Sequence, residues 1–213
     1  MKRVSVCVLL LAATSAFTQQ SAPKRPKITG VDHVDFYTTA AEMNNHLDSG
    51  VLGLAVADPI EPGQTQRFII GTQWVGYSPA PDSKATDRMD HVAFATDDCA
   101  ALRSYLAANG VKVPDSIDQL KDGSRSFRVK DPEGHSIEFV ERAKSEAKSQ
   151  SSGDPVSRRM IHAGFIVRNH EAEDHFYKDI LGFHLYWYGG MHPLTPTGLR
   201  CRYLMAPTGW NTC

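Results

Sequence analysis

Two tripeptides bring the first recognisable chemistry to this chain, Asp32-His33-Val34 and Asp90-His91-Val92. Both open an alternating stretch, and strand alternation with period two sorts their side chains onto two faces. Val34 and Phe36 share one face, while His33, Asp35 and Tyr37 share the other. Val92 and Phe94 likewise oppose His91, Ala93 and Ala95. A third alternating stretch, His135 to Val140, sets Ile137 and Phe139 against Glu138. If the apolar faces take the helices, His33, His91 and Glu138 all lie on the opposite side. Imidazoles and a carboxylate on one face are donor types for a divalent cation. A lone strand histidine is more often a packed or surface residue. What shifts the balance is two histidines at matching places in two similar stretches, with a carboxylate, Glu138, on the same face. His46, His135, His170, His175, His184 and His192 lack such positional support and read as surface or structural residues.

The elements that must position these groups repeat along the chain. Three segments read as a strand, an amphipathic helix and a glycine-ended turn into another strand. They run from His33 to Gly53, from His91 to Gly110 and from His162 to Gly182, separations of 20, 19 and 20 residues. The third opening strand is expected over Met160 to Val167. The first helix is expected over about Ala40 to Asp48, diluted by Asn44 and Asn45. The second is capped by Asp97 or Asp98, carries Leu102, Tyr105 and Leu106 on one stripe, and ends at Gly110. Asn169 caps the third, with Ala172, Phe176 and Ile180 on its stripe. Returning strands follow: Gln66–Ile70 and Gln73–Tyr77 in the first unit, Ser126–Val129 and His135–Val140 in the second. Asp131-Pro-Glu-Gly134 is the turn between the last two. Each unit is thus a βαβββ module, and the fold class is α+β with one curved mixed sheet of about eight strands over 28–142.

Length and charge set outer bounds. The chain has 213 residues, 23 basic and 24 acidic, enough for one large or two small globular domains. Near-neutral charge gives no electrostatic reason to expect nucleic acid or an anionic membrane as partner. Lys2 and Arg3, the apolar run Val4 to Ala13 and the small residues up to Ala16 describe a signal peptide over about residues 1–20. Secretion or a periplasmic location is the expectation, with no membrane association once the leader is removed. Cys99, Cys201 and Cys213 remain, an odd number without a disulfide framework or a zinc-ribbon spacing.

Together the two Asp-His-Val strand starts and the run Asp131-Pro-Glu-Gly-His-Ser-Ile-Glu138-Phe-Val140 resemble the vicinal-oxygen-chelate superfamily of glyoxalases, bleomycin-resistance proteins and extradiol dioxygenases. The resemblance covers Ile28 to Arg142 well and Arg158 to the end in part. It implies paired βαβββ modules closing around a divalent metal. It assigns His33, His91 and Glu138 as metal ligands. The fourth ligand position, on the last strand of module one, falls on Gly76, which has no side chain to offer. Two imidazoles and one carboxylate suit Fe(II) or Mn(II), with Zn(II) or Ni(II) as alternatives. The substrate would be a small molecule with two neighbouring oxygens, held by a Lewis-acidic cation. The vacancy at Gly76 favours a reaction like that of the extradiol dioxygenases. A glyoxalase-type lyase, or a non-catalytic binder similar to bleomycin-resistance proteins, is the alternative.

The third unit reads as incomplete. Residues 143–157 form a Ser- and Lys-rich linker, and residues 158–213 start a second domain that lacks a last strand. The open edge and uncovered face suggest loose docking, with a chain ending near Arg142 at least as soluble. A homo-oligomer remains an open alternative.

Overall fold

The computed structural model describes residues 23–84, 87–144, 155–164, 166–189 and 201–205, the side chains of 186–189 and 201–205 excepted. The expected signal peptide, most of the linker, His192 and Cys213 lie outside the described residues. Among those described, no helix is long and apolar enough to cross a membrane.

Module one comprises β1 (Ile28–Thr38), α1 (Ala41–Asn45) running on as a π-helical turn (His46–Val51), β2 (Ala55–Ala57), β3 (Gln66–Ile70) and β4 (Gln73–Pro79). Module two comprises β5 (Met89–Thr96), α2 (Cys99–Ala108), β6 (Asp118–Gln119), β7 (Arg125–Lys130) and β8 (Ser136–Glu141). All eight strands join one mixed sheet in the order β2-β3-β4-β1-β5-β8-β7-β6. The βαβββ expectation therefore holds in both units. The modules meet where β1 and β5 run antiparallel, with His33 opposite Ala93 and Asp35 opposite His91. On the outer side of each, a last strand lies parallel. His33 faces Trp74 and Asp35 faces Gly76 across β1 and β4, while Ala93 faces Glu138 across β5 and β8.

The alternation read from sequence decides which side is core. Val34, Val92, Phe94, Phe127, Ile137 and Phe139 bury against Leu102 and Leu106 of α2. Asp98 caps that helix by accepting from the Ala101 N–H at 2.9 Å, and Gly110 ends it in the left-handed conformation, φ 80°. The first helix is less well covered: Ala41–Asn45 buries no residue, and Met43, Leu47 and Val51 stay exposed.

The third unit departs from expectation in two ways. Met160 to Val167 is not a strand in its described residues. A strand needs a neighbour for its backbone groups, and here a single side chain serves instead. Gln73 Oε1 accepts from Met160 N–H at 2.7 Å, and Gln73 Nε2 donates to the Met160 carbonyl at 3.0 Å. Loose docking is also corrected. The third helix, α3 (His170–Asp174) with its π-helical turn (His175–Ile180), is capped by Asn169. Phe176, Tyr177, Ile180, Leu181 and Phe183 belong to the same buried cluster as Leu102 and Phe139. Phe183 packs edge-on against Phe94 at 5.0 Å, and Tyr105 donates its hydroxyl to the Ile180 carbonyl. Beyond it, β9 (His184–Gly189) pairs with β10 (Cys201–Met205) as a separate two-stranded sheet.

Candidate metal centre

His33, His91 and Glu138 converge, as the alternation requires. All three are buried, and Glu61 joins them as a fourth donor, the ligating atoms lying within 4.8 Å of one another. His33 Nε2 stands 2.7 Å from Glu61 Oε1, 3.0 Å from His91 Nε2 and 3.6 Å from Glu138 Oε2. His91 Nε2 stands 2.8 Å from Glu138 Oε2 and 3.4 Å from Glu61 Oε2. His33 comes from β1, His91 from β5, Glu138 from β8, and Glu61 from the loop between β2 and β3.

The aspartate that precedes each histidine lies beside its outer ring nitrogen: Asp32 hydrogen-bonds His33 Nδ1, whereas His91 Nδ1 is buried without a hydrogen bond and has only the Asp90 charge nearby. Asp32 Oδ1 takes the His33 Nδ1 hydrogen at 2.7 Å, and Asp32 is itself gripped by Arg142 at 2.7 and 2.8 Å. Neighbours on a strand normally point to opposite faces. A register shift in β1 between Val31 and His33 lets Asp32 reach its neighbour's ring. Asp90 Oδ2 lies 3.3 Å from His91 Nδ1 and is anchored through Oδ1 by the Tyr37 hydroxyl at 2.7 Å. Trp74 stacks on His33, ring centroids 3.6 Å apart and planes within 12°. For His33 this is the carboxylate–histidine support that fixes tautomer and ring angle in metal sites.

With Nδ1–H committed to Asp32, a neutral His33 turns a lone pair toward another imidazole nitrogen and two carboxylate oxygens. Only protons or a cation reconcile such a set. Glu61 Oε1 is buried without a hydrogen bond, although His33 Nε2 lies 2.7 Å away; the contact joins two acceptors, which a cation between them satisfies. The donor set therefore fits a divalent metal. In protons alone, the same demand shows as displaced titrations. Burial opposes charge on His91, but Asp90, Glu138 and Glu61 outweigh it and raise the ring to about 10. His33 is likewise raised against its burial, by Asp32, Glu138 and Glu61. Burial pushes Glu61 and Glu138 upward, yet the two imidazoles win and hold Glu61 at about 2 and Glu138 well below its usual range.

The expected vacancy at Gly76 is corrected by its neighbours. A Cβ there would come within 2.1 Å of Asp35 Oδ1 and 2.2 Å of Gln64 Nε2. Those two side chains fill the space, and Gln64 donates to both Asp35 oxygens at 3.2 and 3.3 Å. Module two pairs Ala93 on its first strand with Glu138 on its last; module one pairs Asp35 with Gly76. The carboxylate and the small residue stand on opposite strands in the two modules. Asp35 Oδ2 reaches within 3.6 Å of His91 Nε2, and burial together with the Glu61 charge raises its carboxyl to about 6. Alternation already placed Asp35 on the histidine face. Glu61 was missed because its loop, Asp58 to Gln64, carries no periodicity.

Arg128 closes the site from β7. Its guanidinium donates to Glu61 Oε2 at 2.5 Å and to Glu138 Oε2 at 3.2 Å, and its side chain is 38% exposed while all four donors are buried. His162 is exposed and stands outside this cluster.

Comparisons with known proteins bear on the fold and the family. The Mn(II)-bound glyoxalase from Novosphingobium aromaticivorans superposes with TM-score 0.54 and 21% identity over 75% of this chain and 55% of its own. Methylmalonyl-CoA epimerase from Mycobacterium tuberculosis gives TM-score 0.47 and 18% identity over 62% of this chain and 97% of its own. The Streptomyces coelicolor epimerase in complex with 2-nitronate-propionyl-CoA gives 0.46 and 19% over 55% and 99%. No curated protein is significantly similar to this chain. The family model described as the Glyoxalase/Bleomycin resistance protein/Dioxygenase superfamily matches residues 30–139. That match takes in more than half of the sequence and every donor of the centre, and the chain belongs to this superfamily.

Proposed function

We propose that the protein is a divalent-metal enzyme that moves a proton on a carbon next to a carbonyl, in the manner of glyoxalases and epimerases. The observation that carries this reading is the fourth donor, Glu61, with Asp35 buried beside it. Four protein donors leave two places in a six-coordinate shell, enough for two neighbouring oxygens of one substrate but not for dioxygen as well. A bound divalent cation would polarise those oxygens as a Lewis acid. His33, His91 and Glu138 would hold it, steadied by Asp32, Asp90 and Trp74. Glu61, the one donor on a loop, is the carboxylate that would take the proton from carbon, a step that requires it to leave the Arg128 guanidinium donating to its Oε2. Arg128 and the Glu61 loop move aside to admit substrate, since every donor is buried. The dioxygenase reading survives on one observation: His33, His91 and Glu138 alone make the facial triad, should Glu61 swing away.

The experiment is carbon–deuterium exchange in D2O. The Mn(II)-loaded protein is offered the glutathione–methylglyoxal hemithioacetal and a 2-methyl acyl thioester, with oxygen uptake on catechols measured in parallel. Metal-dependent exchange lost in Glu61→Gln, with metal retained, supports proton transfer. Oxygen uptake without exchange replaces it with the ring-cleaving reading. For location, the basic, apolar and small-residue order of residues 1–16 supports export, and cell fractionation tests it.

A further inference from the structure

A second cluster of donor side chains lies away from the metal centre, where the β7–β8 turn meets the third helix. We infer that Asp131, His135 and Glu173 form a structural cation site of the zinc class, clamping α3 to the turn. Their ligand atoms lie within 4.8 Å of one another, with Asp131 and Glu173 buried and His135 partly so. One imidazole and two carboxylates are donor types that a borderline cation such as Zn(II) accepts.

The local hydrogen bonds hold these groups ready. Asp131 Oδ1 accepts from the backbone N–H of Glu133 and His135 at 3.1 and 2.8 Å, which shapes the turn. Asp131 Oδ2 lies 2.7 Å from His135 Nδ1 and accepts the Tyr177 hydroxyl at 3.2 Å. Glu173 crosses over from α3, and its Oε1 accepts from the Glu133 N–H at 3.0 Å. Its Oε2 is the independent sign of a missing partner: Glu173 is 4% exposed, and this oxygen is buried with no hydrogen bond. An unmet carboxylate oxygen beside a second buried carboxylate is costly unless a cation or proton joins them.

The test uses the full chain, stripped with chelator and titrated with Zn(II) alone. In His33→Ala/His91→Ala, which disables the first centre, one equivalent should still bind and raise Tm by several degrees. Adding Glu173→Gln, close to isosteric, should abolish that equivalent and its Tm shift. Co(II) offered to the His33→Ala/His91→Ala protein should give the visible absorption of a low-coordinate N/O site, absent once Glu173→Gln is added. If the His33→Ala/His91→Ala protein is folded by circular dichroism yet binds no Zn(II), the inference is overturned. Retention of the equivalent after Glu173→Gln also overturns it. Should the double histidine variant fail to fold, Glu173→Gln alone must lower Zn(II) stoichiometry by one while the first centre stays filled, and unchanged stoichiometry refutes the site.

Discussion

At the scale of single residues, the centre is a problem of charge placement solved differently in two copies of one design. Asp35 fills the space over Gly76, so Gly76→Glu alone drives a side chain into occupied volume. The expected cost is about 1–3 kcal/mol or more, read from chemical denaturation. Asp35→Ala combined with Gly76→Glu copies the Ala93–Glu138 arrangement into module one. It should be less destabilising than the sum of its parts, with metal binding kept; a double-mutant cycle measures the coupling. The raised imidazoles give a second expectation. His91 titrates at about 10 when folded against 6.5 when free. Its contribution to the metal-free fold is complete below pH 6.5 and fades as pH rises through 10. Melting curves from pH 6 to 10 should therefore fall for chelated protein. They should stay flat with Mn(II), because the cation replaces the protons. A flat curve for the chelated protein would contradict the charge balance described.

At the scale of elements, periodicity is what made the fold readable. Strands β1, β5 and β8 alternate cleanly, so the face of His33, His91 and Glu138 followed from Val34, Val92 and Ile137 without any structure. The pair Asp97 and Asp98, of which Asp98 is the cap, and Asn169 likewise announced the second and third helix starts. What sequence could not convey was anything that depends on a distant partner. Glu61 sits in an aperiodic loop, and its role exists only because β1 and β5 come together beside it. Met160 to Val167 alternates well enough to suggest a strand, but pairing needs an available edge, and Gln73 meets the backbone of Met160 instead. The stripe on the third helix was visible; its destination in the core of module two was not. Phe176 is 3% exposed within that core, so Phe176→Ala should cost about 3–5 kcal/mol. Denaturant titration checks this, and a change below ~1 kcal/mol would mean that the helix rests on the surface.

At the scale of the whole molecule, the third helix and Phe183 form part of the first domain's interior. Cutting the chain after Arg142 removes Phe176, Tyr177, Ile180, Leu181 and Phe183, each burying roughly 1.5–3 kcal/mol of apolar side chain. The shortened protein should melt lower and bind a hydrophobic dye, the reverse of what its sequence suggested. Equal Tm and solubility would restore the reading of a loosely attached appendage. The donors themselves are divided two and two: His33 and Glu61 precede β5, while His91 and Glu138 belong to module two. Neither half can grip a cation unaided, so the fitness of each copy depends on the other. Two sister modules free to diverge in surface and loops are thereby shackled at one seam, where a change in one must be answered in its twin or nearby. The Asp35–Gly76 pair set against Ala93–Glu138 shows the form such an answer takes: the carboxylate stands on the first strand of one module and on the last strand of the other.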